Sequence, residues 1–143
     1  MKFRDASAII PLCIEGPQTR AVQDVAKKDG SFVVWWGSIV ECYSTFSRLR
    51  RDGTITRDED AQVRAVLSSL SEAWTEIEPS DDIRDLTQRL FRNHPLRASD
   101  ALQLAAAIIW TDKTPKGHHF VCLDARLRDA ASSEGFTVLP VKL

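Results

Sequence analysis

At 143 residues with 43% hydrophobic side chains, the chain fits one domain and can bury an apolar core without disulfides or a structural metal. Its three cysteines are odd in number, far apart and set in apolar runs such as Pro11-Leu12-Cys13-Ile14 and Phe120-Val121-Cys122-Leu123. This pattern predicts reduced core thiols in a cytoplasmic protein, and no CxxC or Cys/His spacing suggests a zinc site. The formal net charge of −1 does not argue for nucleic-acid binding, although spending four of the twenty acids on a metal would leave a basic balance compatible with RNA.

Lys2 to Asp5 reads as a short strand, and Asp5 falls where a signal peptide would need its apolar stretch, so secretion is disfavoured. A helix follows from about Ser7 to Ile14, kinked or delayed by Pro11. Gly16-Pro17 punctuates the chain, with Pro17 expected in the first turn of a second helix whose stripe is Val22, Val25 and Ala26 and whose end is Asp29-Gly30. Phe32 to Trp35 is an apolar run suited to a strand covered on both faces. Gly37-Ser38 opens a helix to about Arg51, with Ile39, Cys42, Tyr43, Phe46 and Leu49 on its apolar side and Glu41, Ser44, Thr45 and Arg48 on its polar side.

Thr56-Arg57-Asp58-Glu59 is a capping-box pattern, and the long helix it opens directs Val63, Leu67, Leu70 and Trp74 at the core. Thr75 to Glu78 suggests a brief edge strand. Ser80 caps a helix carrying Ile83, Leu86, Leu90 and Phe91 that stops near His94-Pro95, because the residue before proline resists helical geometry. Ser99 is expected to cap the next helix, which is apolar almost all round and therefore central. Its segment Ala101 to Trp110 contains Gln103 and is too short to cross a bilayer, so no membrane association is expected. His119 to Leu123 reads as a strand, Asp124 to Glu134 as a helix stopped by Gly135, and Phe136 to Leu139 as a last strand. Strands alternating with helices predict a three-layer α/β/α domain around a short, mainly parallel sheet with right-handed crossovers.

Asp5 and Asp124 each follow an apolar strand, Asp100 sits in the first turn of the central helix, and Glu41 lies one turn into a helix that begins after a strand. In an open α/β sheet ligands gather at the carboxyl ends of strands, so all four acids can converge on one edge. Carboxylates crowded there repel one another, and a hard divalent cation, Mg²⁺ or Mn²⁺, relieves that repulsion. Such an ion suits phosphodiester cleavage, because it lowers the pKa of a bound water and neutralises phosphate charge. Taken singly, Asp5 and Asp124 also fit helix N-caps, Asp100 fits the helix dipole, and Glu41 fits a solvated face. Only the joint placement favours metal.

These residues carry a resemblance. Phe3-Arg4-Asp5-Ala6-Ser7-Ala8, Ser38-Ile39-Val40-Glu41 with Arg48, the stretch Leu96 to Ala107 with its Asp100-Ala101 pair, and Phe120 to Asp124 running on to Gly135-Phe136 are similar, in order and spacing, to the motifs of PIN-domain ribonucleases. The chain's size resembles that of the VapC-type toxins of bacterial toxin–antitoxin modules. The resemblance implies a PIN-like fold, a Mg²⁺-dependent endoribonuclease acting on RNA, a homodimer, and inhibition by a small antitoxin protein reaching into the cleft. It also implies that Asp5, Glu41, Asp100 and Asp124 hold the metal and that Ser7 hydrogen-bonds a ligand or a metal water. Arg4 stands where the family is usually apolar, and Cys122-Leu123 replaces its common threonine.

Around the site, Arg48 is two turns after Glu41 and expected on the same cleft, to bind phosphate or to neutralise Glu41. Arg92, His94 and Arg97 form a loop that suits either an RNA backbone or plain solvation. His118 and His119 read as structural or surface residues, and Trp35-Trp36 as core or interface residues near the cleft. Two rival readings come from other classes. A phospho-receiver module would want an acceptor aspartate ending a middle strand and a lysine ending a late one, where Val34-Trp35-Trp36 supplies no acid and Pro140 is no lysine. A non-catalytic PIN-like scaffold would bind a partner through the same edge.

Overall fold

The computed structural model describes residues 1–143. Five strands, β1 (Lys2–Arg4), β2 (Phe32–Trp35), β3 (Thr75–Ile77), β4 (His119–Val121) and β5 (Thr137–Leu139), form one sheet in the order β3-β2-β1-β4-β5. All four pairings are parallel, with Phe3 beside Val33 and Phe120 and with Val138 beside Phe120. Parallel neighbours require crossovers, and seven helices provide them: α1 (Ala6–Cys13), α2 (Thr19–Lys28), α3 (Ser38–Arg51), α4 (Arg57–Ala73), α5 (Asp81–Asn93), α6 (Ala98–Trp110) and α7 (Ala125–Glu134).

The strands' period of two divides the core between the sheet's faces. Phe3, Val33, Trp35 and Phe120 pack against Ile83, Leu90, Leu104 and Leu127 of α5, α6 and α7. Phe32 and Val34 point the other way, onto Ile9, Cys42, Phe46, Val63 and Leu67 of α1, α3 and α4. Val121 meets Val22 and Val25 of α2. Each fully buried Leu, Val or Phe contributes about 1.5–3 kcal/mol. Phe3, Phe120 and Phe136 add a row of rings at 5.4 and 5.5 Å between centroids along β1, β4 and β5. Helix α6, with Ala101 and Gln103 through Ile108 all buried, is the central helix expected from its composition.

Arg4 is fully buried on the α1–α2 face, its guanidinium 3.8 Å over the Phe32 ring and its Nη2 donating to the Asp29 carbonyl at 3.3 Å. Burial lowers it to about 10 despite the field of Asp29, and Nε and Nη1 have no partner. A fully buried arginine is thus accommodated by aromatic stacking and one carbonyl.

Several boundaries differ from expectation. Helix α1 begins at Ala6 and continues through Pro11 to Cys13. Pro17 lies ahead of α2 rather than inside it, because the Thr19 hydroxyl ties the turn by accepting from Gly16 N–H and donating to the Pro11 carbonyl. Ser99 is not a cap: Arg97, extended after Pro95, is the N-cap of α6 and makes no side-chain cap bond. Strand β4 ends at Val121, so Asp124 stands three residues beyond it. The Thr56 capping box, the Ser80 cap and the left-handed Gly135 stop are as expected.

Candidate active site

All strands point their carboxyl ends to one edge, and Asp5, Glu41, Asp100 and Asp124 line one cleft of about 510 Å³ there, together with Ser7, Thr45, Arg97, Ser99 and Arg126. Asp5 leaves β1 with its backbone N–H on the Val121 carbonyl at 3.0 Å, which places it between the ends of β1 and β4. Its Oδ2 accepts from the Ser7 N–H at 3.1 Å and the Ser7 hydroxyl at 2.5 Å, capping α1. Asp124 Oδ1 caps α7 by accepting from Leu127 N–H at 3.0 Å. Glu41 Oε2 accepts from the Gln103 amide. Asp100, in the first turn of α6, faces the backbone N–H of Arg97.

The capping and metal readings are therefore compatible. Asp5 and Asp124 each use one oxygen as a cap, Glu41 uses one on Gln103, and Asp5 Oδ1, Asp124 Oδ2 and Glu41 Oε1 accept nothing from the protein. Four carboxylates with spare oxygens form the hard donor set that Mg²⁺ or Mn²⁺ prefers. As they stand, no three acidic side chains close round one point tightly enough to chelate an ion. A Mg²⁺ bound here would need side-chain rotation or intervening water, which that ion retains readily, to complete its shell.

Burial dominates the electrostatics of the site, and neighbouring like charge adds to it. Burial, and then the charge of Asp100, pushes the Asp5 carboxyl above its usual range, against the bonds from Ser7 and Cys122. Burial, Asp5 and Asp100 push Glu41 up to about 7, opposed by the Gln103 bond. Burial and Asp124 raise Asp100, opposed by Arg97 and Arg126. Each carboxyl thus senses its neighbours, which is the condition a cation relieves.

The sequence matches no family model and no curated protein. Among solved structures the chain is similar to "Toxin-antitoxin complex from Klebsiella pneumoniae", with a TM-score of 0.62 and 16% identity over 88% of this chain and 88% of that one. At that identity the likeness shows the shared fold.

Of the residues expected near the site, Arg97 and Ser7 are in place. The Ser7 hydroxyl is committed within the protein, donating to Asp5 and accepting from Leu123 N–H at 2.9 Å, so it braces Asp5 and joins the β1 and β4 ends. Arg48 does not line the cleft. Seven residues return it to the azimuth of Glu41 but carry it roughly 10 Å along α3, past the rim. Arg92 is exposed and away from the cleft, and His94 is turned to Glu134 at 2.7 Å, where Arg89 also binds in a two-pronged pair. Trp35 is core and lines a separate groove with Ile83 and Leu102, while Trp36 is exposed; neither borders the cleft. His118 packs edge-on against Trp110 at 5.2 Å, a structural role.

Sequence reasoning missed Arg126, Thr45 and Gln103. Arg126 lies two residues past Asp124, and a cation beside a strand-end acid at a helix start is its one sequence signal. Gln103, polar amid an apolar helix, announced itself only as an anomaly.

Proposed function

We propose that this chain is a Mg²⁺-dependent endoribonuclease of the PIN type, the toxin of a toxin–antitoxin pair, hydrolysing RNA phosphodiester bonds. The observation that carries the reading is one cleft lined by acids from four distant stretches of sequence, three of which, Asp5, Glu41 and Asp100, are raised by burial and then by a neighbouring acid. Support also comes from the order of the motifs and from the fold shared with a chain of a toxin–antitoxin complex. Asp5, Asp100 and Asp124 would hold the cation, with Glu41 as ligand or water-orienting base. When bound, the ion supplies a more acidic water and neutralises charge on the phosphate.

The chain's own residues supply the rest. Ser7 and Leu127 N–H fix the orientation of Asp5 and Asp124, so the site is braced before any ligand arrives. Glu41, near 7 without a cation, can accept a proton from an attacking water at neutral pH. Arg97 and Arg126 flank the acids and can draw the phosphate to the rim. A small antitoxin protein is the partner of this reading, and a homodimer its assembly.

A partner-binding scaffold is the second reading, favoured by the internal bonds that already occupy Asp5, Glu41 and Asp124. An RNA cleavage assay separates the two. Activity that disappears with EDTA and in Asp5→Asn and Asp100→Asn supports the nuclease; full activity in both variants refutes this site. The scaffold requires no cleavage and no specific Mg²⁺ uptake by calorimetry.

A further inference from the structure

We propose that Gln103 is a positioning residue, whose amide sets where Glu41 stands relative to Asp100; the inference rests on the metal-site reading above. Gln103 is fully buried in a helix whose other buried positions are alanine, leucine and isoleucine. It lies three residues after Asp100, on the same face of α6. Its carbonyl oxygen accepts from the Ser38 hydroxyl at 3.0 Å and its amide nitrogen donates to Glu41 Oε2. Ser38, also fully buried, and Glu41 are one turn apart at the start of α3.

One amide, committed at both ends, thus spans from α6 in one helical layer to α3 in the other. The two helices have few other contacts. The amide is oriented between its two partners, its nitrogen donating to Glu41 and its oxygen accepting from the Ser38 hydroxyl. With Oε2 held, Glu41 presents Oε1 to the cleft at a distance from Asp100 fixed by the length of the Gln103 side chain. A methionine would complete the apolar helix at similar volume, so packing alone does not call for glutamine. Groups that orient a ligand control which ion a site accepts, and Mg²⁺ demands stricter geometry than Ca²⁺.

The test is calorimetric titration of the full chain with Mg²⁺ and, separately, Ca²⁺, for wild type, Gln103→Met and Ser38→Ala, with thermal melts of each. Gln103→Met is expected to weaken Mg²⁺ binding by about 10–100-fold and Ca²⁺ binding much less. Ser38→Ala, which frees the amide's far end, is expected to weaken Mg²⁺ binding severalfold and stands in if Gln103→Met does not fold. Unchanged Mg²⁺ affinity, or an equal loss for both ions, overturns the inference while leaving the metal reading intact. A wild type that takes up no Mg²⁺ overturns both.

Discussion

Replacing Asp5 in two ways separates its structural from its chemical contribution. In Asp5→Asn the side-chain oxygen still accepts from the Ser7 N–H and hydroxyl, and asparagine caps a helix as well as aspartate does. The substitution also removes a buried charge, raised by desolvation and by Asp100, that contributes to the repulsion on Glu41. In EDTA, Asp5→Asn should therefore be more stable than wild type, by about 0.5–2 kcal/mol as for other relieved functional sites, while losing Mg²⁺ uptake and RNA cleavage. Asp5→Ala loses the cap, about 1 kcal/mol, and leaves the half-buried Ser7 hydroxyl without its acceptor, about 1–3 kcal/mol. Its melting temperature should lie roughly 4–16 °C below that of Asp5→Asn, which lacks the same charge, at about 2–4 °C per kcal/mol for chains near this size.

The pH dependence follows from the sign of the shift. A carboxyl whose folded pKa is raised binds protons more tightly in the folded state, so its stabilisation is complete below the unfolded pKa of about 3.9 and is lost as pH rises through the folded value. Asparagine has nothing to lose. The advantage of Asp5→Asn should be smallest near about pH 4 and grow with pH, as read by calorimetric melts in EDTA. An Asp5→Asn protein that melts below wild type at neutral pH, alongside Asp5→Ala, would refute the account of Asp5 as a strained acid.

Glu41 should titrate near 7 in EDTA, followed by the chemical shift of its carboxyl carbon, and far lower with saturating Mg²⁺. Mg²⁺ affinity should accordingly strengthen from acidic pH through about 7 and then level off; a flat profile over that window contradicts the role of Glu41 as ligand or base. Arg97→Ala and Arg126→Ala, made in an Asp100→Asn background, should each weaken single-stranded RNA binding and lower the salt-dependence slope by about 0.7. Fluorescence anisotropy across a salt series reads both, and Arg48→Ala, outside the cleft, should change neither.

Features set by near neighbours in sequence were legible before any coordinates. The continuous apolar run Phe32 to Trp35, the Thr56 box and the apolar girth of α6 each reflect local rules, and together with the strand–helix alternation they prescribe a layered parallel sheet. The four acids were legible for a related reason, since the carboxyl edge of such a sheet gathers whatever follows the strands. Illegible residues depend on distance along an axis or on a partner far away in the chain. Arg48 shares the azimuth of Glu41 but not its height, and Gln103 acquires meaning only from a glutamate 62 residues earlier. Ser99 looked like a cap because serine commonly is one, yet the helix starts ahead of it, at Ala98, with Arg97 as an extended N-cap that makes no side-chain bond.

The place of β1 has a bearing on biosynthesis. It is made ahead of the other four strands, but it becomes the middle strand, and β4, the neighbour that leads on to Asp124, is made more than a hundred residues later. At about 5–20 residues per second, several seconds separate the first acid from the last. During that interval the nascent polypeptide carries the acids piecemeal, and the cleft lined by all four is assembled only once β4 has docked.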